Sequence, residues 1–356
     1  MDIGILCMSV KLYYYYCDCR KYRLMEWFYM VQGIINIGSN SIRLAVYKVD
    51  DGQVTSLLNK KHTAGLAAYI KKEKMLQAGI DKTCQVISEF KVLLEAFHIT
   101  NISAFATTAW RNISNSEKAI KQIMQKTGVS VNVLSGREEA ALDFLGATHV
   151  MQTQNGLLID IGGASTELVL YENGCIVHSA SLPIGSVNAY EQYVQYLLPN
   201  KKEQKMIKNA VLAELAKVTD FDSTPQNFIC GVGGSIRATG KINTSLFNLP
   251  MDTAEIEVSN IKKIIKLLEN AGENELLSSE MLKVLLKTVP GRIETIVPGV
   301  IILHTLSRYF KSKTIVVSKS GVREGYLYKN ILTEKKQTAK TISSIEFNHE
   351  SNYAAS

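Results

Sequence analysis

The sequence predicts an α/β chain of two similar domains facing each other across a cleft. Three observations carry that expectation. The chain has 356 residues, which at the usual ~150 residues per domain makes room for two. A strand–turn–strand pattern occurs twice in register. Apolar strands alternate with helical periodicity in both halves, the signature of layered α/β domains.

The repeat is read directly: INIGSNSIRLAVY at 35–47 and IDIGGASTELVLY at 159–171. Isoleucine, isoleucine, glycine, serine, leucine and tyrosine recur in register, and each copy runs on to a turn signal, Asp51-Gly52 or Asn173-Gly174. Each copy therefore reads as strand, small-residue turn, strand. Between the copies, the spacing predicts a helix over Cys84–Phe97, and Ser114 with Glu117 reads as a capping box opening a helix that reaches Lys126. Short strands are expected to end at Phe105-Ala106 and to span Val131–Leu134. Ser135 followed by Glu138 reads as a second capping box. In the second half, helices are expected over Lys205–Val218, Ser259–Asn270, Ser279–Thr288 and Pro298–Phe310, and strands over Phe228–Cys230 and Thr314–Val317. The first domain is placed at 30–153 and the second at 154–332. Residues 1–29 show no sustained period and carry Tyr13 to Tyr16 in a row. Met30 is expected to be the true start, with 1–29 a disordered or wrongly included extension; the polar 333–356 tail is expected to be disordered.

Composition narrows the function classes. Hydrophobic residues make up 46%, no apolar run approaches the ~18 residues of a membrane span, and no secretory signal is legible because Asp2 and Lys11 break the needed pattern. The six cysteines form no CxxC pair, so reduced thiols and a cytoplasmic location are expected, with no membrane or nucleic-acid partner. The net charge of +7 suits an anionic substrate or an ordinary lysine-rich surface equally.

A Gly/Ser turn between strands turns backbone N–H groups outward, where several together cradle a phosphate. Two such turns, one per domain, predict a phosphate-binding loop on each wall of the cleft: Gly38, Ser39, Asn40 and Ser41 on one, Gly162, Gly163, Ala164, Ser165 and Thr166 on the other. With Glu138 occupied by its cap, Glu139 is left to face the cleft. Asp160 ends a very apolar strand, where a charge is costly unless paired or metal-bound. Arg111 follows a strand, and its planar fork suits either phosphate oxygens or an ion pair. Gly234 with Gly240-Lys241 imitates a P-loop but is one residue too long, with Ile242 where Ser or Thr is required.

These motifs resemble the actin, heat-shock ATPase and sugar-kinase superfamily, and within it the exopolyphosphatase and guanosine-pentaphosphate phosphatase family. The match rests on IGSNSIRL at 37–44, ATTAWR at 106–111, LSGREEA at 134–140, IDIGGASTEL at 159–168, GVGGSIR at 231–237, Arg292-Ile293-Glu294 with Val297-Pro298-Gly299, and SKSGVREG at 318–325. The resemblance implies two actin-like (ribonuclease H-like) domains with an interdomain cleft, in the short form that lacks an extra helical domain, and a homodimer. It implies Glu139 as catalytic base with Arg111 beside it, Mg²⁺ held at Asp160 and Glu139, and a third phosphate-proximal loop at Gly233, Gly234 and Ser235. It implies hydrolysis of terminal phosphoanhydride bonds of inorganic polyphosphate or guanosine pentaphosphate. Two positions depart from the family pattern: Asn36 stands in place of an aspartate, and Ala164 in place of a glycine. A non-catalytic sensor of polyphosphate or alarmone, and a kinase of the same superfamily, are the competing readings. Arg43 and Arg237 read as weaker phosphate candidates, Arg43 as a residue that points outward from its strand.

Overall fold

A computed structural model of the chain describes residues 29–50, 52–149, 153–269 and 277–332; the expected extension up to residue 28 and the tail at 333–356 lie outside the described residues. The first lobe opens with an antiparallel meander of β1 (Tyr29–Ile37), β2 (Ser41–Asp50) and β3 (Gln53–Thr63). A small ribbon, β4 (Ile70–Lys71) with β5 (Lys74–Met75), leads to helix α1 (Gln77–Ala96). Then come β6 (Ile102–Ala106), the short α2 (Thr108–Arg111), α3 (Ser116–Thr127), β7 (Val131–Val133) and α4 (Gly136–Thr148). The sheet order is β3-β2-β1-β6-β7, with β6 parallel to β1 and β7 parallel to β6.

The second lobe repeats this plan. A meander of β8 (Gly156–Ile161), β9 (Thr166–Glu172) and β10 (Cys175–Leu182) is followed by α5 (Ser186–Tyr193) and α6 (Lys201–Leu215). β11 (Ile229–Val232) leads into α7 (Gly233–Leu246), then β12 (Glu255–Glu257), α8 (Val258–Glu269), α9 (Ser279–Thr288) and α10 (Ile293–Tyr309). β13 (Thr314–Val317) precedes α11 (Val322–Tyr326) and a closing π-helical turn, Leu327–Leu332. The order β10-β9-β8-β11-β13-β12 matches the first sheet strand for strand, with β12 added at the edge. This duplicated α/β architecture is the two-domain actin-like fold. Among the described residues, no single helix is long and apolar enough to cross a membrane.

Several sequence expectations are corrected in detail. Ser114 does not cap α3: that helix starts at Ser116, and the Ser114 hydroxyl donates to the Glu73 carbonyl. Asn115, in the cap position, instead accepts from the Met75 amide, so tertiary contacts to the β4–β5 ribbon win over the local box. Helix α6 begins four residues before the expected Lys205 because Asn200 and Glu203 form a capping box. Helix α10 begins at Ile293, with Pro298 inside it. The proline costs one helical hydrogen bond, but Thr295–Leu303 is buried without a break, and that burial holds the helix together.

Alternation along β1 and β2 gives the first sheet two buried faces. Ile35, Ile37, Leu44 and Val46 join the core beneath α1, while Ile34, Ala45, Tyr47 and Val49 form a second core on the opposite face. That second core is completed by Tyr326 and Leu327, so the last described helical segment packs against the first sheet. Helix α4 lies between the two sheets. Leu142 packs with the first sheet's outer core, whereas Ala140, Phe144 and Ala147 pack with Leu158, Val169 and Val232 of the second. A helix gripped on two faces has little freedom to shift, and this one carries the residues at the centre of the cleft.

Candidate active site

The two Gly/Ser turns have the same geometry. The Gly38 amide donates to the Ser41 carbonyl at 3.1 Å, and the Gly162 amide donates to the Ser165 carbonyl at 2.9 Å. The turns face each other closely enough that a Cβ added at Gly163 would stand 3.3 Å from the Ser39 Cβ. The backbone N–H groups of Ser39, Asn40, Gly163 and Ala164 have no partner among the described residues. Between the lobes lies a cavity of about 130 Å³ lined by both turns, by Glu139, Asp143 and Asp160, and by four arginines.

Glu139 sits on α4 one residue past the predicted cap. Ser135 Oγ accepts from the Glu138 amide at 3.2 Å and Glu138 returns to the Ser135 amide at 2.8 Å, which locks the first turn of the helix. Glu139 is then buried against the cavity at 8% exposure. Burial pushes its carboxyl up to about 7, while Arg111 and Thr107 pull the other way. Arg111 Nη1 donates to Glu139 Oε2 at 2.8 Å and to the Leu134 carbonyl at 3.2 Å; Nη2 donates to Thr108 Oγ1 at 2.9 Å. All of Arg111's short contacts are therefore within the protein, and it stands beside Glu139 rather than on the cavity wall. Thr108 reaches Ser165 Oγ of the other lobe at 2.7 Å. Ser165 in turn donates to Glu167 Oε1 at 2.7 Å. One hydrogen-bonded chain thus links both lobes to Glu139.

Asp143 lies one helical turn beyond Glu139 and faces the same cavity. It is fully buried, and its carboxyl is raised well above the usual carboxylate range by burial and by Asp160, Glu139 and Glu167. Asp160, the penultimate residue of β8, is also raised, first by burial; Arg237 opposes that rise. Neither Asp143 oxygen, nor Asp160 Oδ1, nor Asn36 Oδ1 has a hydrogen-bond donor among the described residues. An Asp143–Asp160 hydrogen bond exists only when one carboxyl keeps its proton, so at neutral pH the pair needs a shared proton or a cation. The oxygens fit Mg²⁺, which binds through one or two carboxylates, waters and substrate phosphates rather than a full protein cage. Among the described residues no group of three or more His, Cys, Asp or Glu side chains is placed to hold a metal ion.

The opposite wall is cationic. Arg43, Arg237, Arg292 and Arg323 all line the cavity, and none makes an ion pair among the described residues. Arg43 does not point away from the site. Burial, followed by Arg323, Arg237 and Arg292, pulls it down to about 9. Arg237 and Arg292 are also lowered, first by burial. Asp160 opposes the fall for all three, so the arginine wall and the carboxyl corner influence each other across the cavity.

Of the predicted loop residues, Gly38, Ser39, Asn40, Ser41, Gly162, Gly163, Ser165, Gly233 and Gly234 line the cavity. Thr166, Ala164 and Ser235 do not. Thr166 Oγ1 donates to the Ile184 carbonyl at 2.6 Å, and the Ala164 carbonyl accepts from Asn188 Nδ2. Ser235 faces α10, its Cβ 2.8 Å from where a Gly299 Cβ would stand. Ala164 is not among the positive-φ residues, so its methyl group introduces no backbone strain. Gly233 opens α7 at φ 91°, and an added Cβ would overlap Asp160 Oδ1. Its identity as glycine is therefore imposed by the site. Sequence reading missed Asp143, Arg292, Arg323 and Glu167. Asp143 had a usable signal in its four-residue spacing from Glu139 on one helix face. The two arginines lie in segments that carry the family resemblance, but nothing local to either shows that it reaches the cavity.

The chain belongs to the Ppx/GppA phosphatase family, whose model matches residues 45–334. It is 27% identical over 317 residues to the bifunctional 3-dehydroquinate synthase/phosphatase of Fusobacterium nucleatum, a match covering 83% of this chain and 46% of that protein. It is 23% identical over 320 residues to exopolyphosphatase 1 of Mycobacterium tuberculosis, covering 88% and 91%. It is 26% identical over 323 residues to the guanosine-5'-triphosphate,3'-diphosphate pyrophosphatase of Vibrio cholerae, covering 88% of this chain and 62% of that protein. The chain thus spans less than two thirds of the Fusobacterium and Vibrio relatives. The crystal structure of the Aquifex aeolicus Ppx/GppA family member superposes with a TM-score of 0.69 at 26% identity, covering 86% of this chain and 99% of that one. An exopolyphosphatase structure from Cytophaga hutchinsonii shares the fold, with a TM-score of 0.72 at 20% identity over 84% and 97% of the two chains.

Proposed function

We propose that the chain hydrolyses the terminal phosphoanhydride bond of inorganic polyphosphate or of guanosine pentaphosphate. The observation that carries this reading is the charge layout of the cavity. Four guanidiniums without an ion-pair partner among the described residues line it, together with two Gly/Ser turns that each leave two N–H groups unbonded among those residues, and with a carboxylate that holds its proton to about pH 7. The exopolyphosphatase and pyrophosphatase relatives support the same substrate class.

The terminal phosphoryl group would sit between the turns. Amides of Ser39, Asn40 and Gly163, and the N-terminus of α7, donate to its oxygens as charge develops there. Water attacks the terminal phosphorus. Its proton passes to a Glu139 carboxylate oxygen, the bond from phosphorus to the bridging oxygen breaks, and the shortened chain leaves with that oxygen. The arginine wall balances the leaving charge. A base with a pKa close to the working pH combines ready deprotonation with useful proton affinity. Arg111 is a positioning residue in this scheme, because its fork fixes the Glu139 carboxylate. Asp160, with Asp143 and Asn36 beside it, would hold Mg²⁺, which when bound offsets repulsion between the phosphate oxygens and the carboxylates.

Asn36 favours one second reading, a polyphosphate or alarmone sensor that binds without turnover, since the amide removes a charge from the metal corner. Phosphate release with Mg²⁺, measured side by side on long-chain polyphosphate and guanosine pentaphosphate, separates the readings. Release that collapses in Glu139→Gln supports hydrolysis. Binding of either compound without release supports the sensor.

A further inference from the structure

Away from the cleft, the second lobe carries another cavity, of about 670 Å³, which shares no lining residue with the first. It lies at the far end of two elements that lead to the cleft. Thr314, which opens β13, lines it, whereas Gly321 and Arg323, past the other end of that strand, line the cleft. Arg292 of the cleft directly precedes α10, and His304 of this cavity sits on that helix about 18 Å further along its axis.

Four chain segments bring cations here. α10 supplies His304 and Arg308, four apart on one face. α8 supplies Lys262, and Lys313 comes from the turn just before β13. Lys208 of α6, which packs along α10, adds its charge from the side. None of Lys208, Lys262, Arg308 and Lys313 has an ion-pair partner among the described residues. Like charges four apart on a helix are destabilising. The His304 ring is half-buried among them. Burial, then Arg308, Lys208 and Lys262, hold its proton affinity below the usual histidine value. One carboxylate joins the lining, Glu257, whose Oε2 accepts from Ser259 Oγ at 2.9 Å.

We infer that this cavity binds a phosphomonoester that also carries hydroxyl groups, a sugar phosphate or a nucleoside monophosphate. The inference is independent of the reaction in the cleft. Its basis is the mixture of donors and the single acceptor. A guanidinium fork, two ammoniums and a ring nitrogen converge from different directions. The three terminal oxygens of a phosphate dianion can receive them together, and the dianion gains about twice what a carboxylate would from the same charges. Such an anion would also relieve the crowding of like charges. Glu257 decides among phosphate compounds. It repels a bare anion or a continuous polyanion, but its free oxygen can accept from a ligand hydroxyl. The volume lies within the ~300–1,000 Å³ of small-molecule sites. No Phe, Tyr or Trp lines the cavity, so no feature of it demands a base.

The test follows the His304 ring signal in NMR spectra of the full chain in Mg²⁺-free buffer, assigned by its loss in His304→Gln. The probes are ribose 5-phosphate, adenosine 5′-monophosphate and orthophosphate. Both esters are expected to move the signal saturably, and orthophosphate to bind about threefold or more weakly, the size of one net hydrogen bond. The double substitution Lys262→Gln with Arg308→Gln should weaken both esters by at least about tenfold, the size of one charge-assisted contact. Glu257→Gln should narrow the preference for esters over orthophosphate. All three substituted side chains are exposed, so the core stays intact. Arg292→Gln, which alters the cleft, should leave the titration unchanged and so place the response in this cavity. The two ester affinities name the source: tighter adenosine 5′-monophosphate means a nucleotide, equal or weaker means a sugar phosphate. Absence of saturable movement with either ester, unchanged affinity in the double variant, orthophosphate binding as tightly as the esters, or loss of the response in Arg292→Gln overturns the inference.

Discussion

Replacing Arg111 by alanine tests whether Glu139 is the group that controls turnover. Arg111 holds the Glu139 carboxylate through a 2.8 Å charge-assisted hydrogen bond, and the two side chains are only 17% and 10% exposed. At that burial solvent screening is weak, and a hydrogen bond to a charged group is worth about 1.5–3 kcal/mol. Arg111 favours the ionised carboxylate; burial disfavours it and at present wins, leaving Glu139 at about 7. Without Arg111 the carboxylate loses its main support, so its pKa rises further, by about 1–2 pH units on that energy scale. The base works only when deprotonated. Wild-type kcat/KM should therefore climb as pH rises through about 7, and the Arg111→Ala profile should climb at correspondingly higher pH. The assay is phosphate release at saturating Mg²⁺ from about pH 5 to about pH 9, read as the difference between the two profiles. A variant that is slower at every pH with an unmoved acid limb would show that the limb belongs to another group, and the assignment of Glu139 would fall. Arg111→Lys should recover part of the displacement, because it restores the charge but not the fork.

Three further outcomes are expected. Gly233→Ala places a Cβ on the Asp160 carboxylate at a left-handed backbone position, and should cost about 1–2 kcal/mol in urea unfolding for the backbone alone, together with most of the activity. Asn36→Asp adds a third carboxylate beside Asp143 and Asp160, and should lower the Mg²⁺ concentration giving half-maximal activity while lowering the melting temperature in Mg²⁺-free buffer. Gly146→Ala would drive a methyl group into the Gly321 carbonyl where α4 meets α11, so overpacking should destabilise the fold by about 1–3 kcal/mol and displace Glu139, lowering kcat more than it raises KM.

Much of this site was legible because its parts are local. The Gly/Ser turns, the Ser135–Glu138 cap and the placement of Glu139 each depend on a handful of consecutive residues, and periodicity located most of the helices around them. What could not be read depends on chain segments that meet only after folding. Arg292 arrives from a 3-10 turn, Pro290–Arg292, and Arg323 from the helix that returns to the first lobe. Both sit in segments that resemble the family, but the periodicity and capping around them do not indicate that destination. The failed cap at Ser114 has the same origin: Glu73, forty-one residues earlier, offered a carbonyl acceptor that outcompeted the local box. Arg43 was misread because alternation assigns a strand residue to one face but cannot say that the face borders a cleft.

The duplicated unit explains how one backbone plan yields opposite walls. In the first lobe Asn36 pairs across the strands with Arg43; in the second the equivalent pair is Asp160 with Glu167. The turns keep matching hydrogen bonds, so both lobes present amides to the cleft in the same way. The side chains diverge: an amide and a cation on one wall, two carboxyls on the other. Two identical acidic walls would repel a phosphate chain, and two identical cationic walls would leave neither a base nor a metal corner. The asymmetry brings Arg43 near Asp160, and the effect of each on the other's proton affinity is the physical trace of that pairing. On this argument Asn36 matters less as a missing metal ligand than as a neutral neighbour. A carboxylate at residue 36 would partly compensate the cation that the first lobe contributes, and Asn36→Asp should accordingly weaken the hold on long-chain polyphosphate in Mg²⁺-free binding measurements even as it strengthens the hold on the metal.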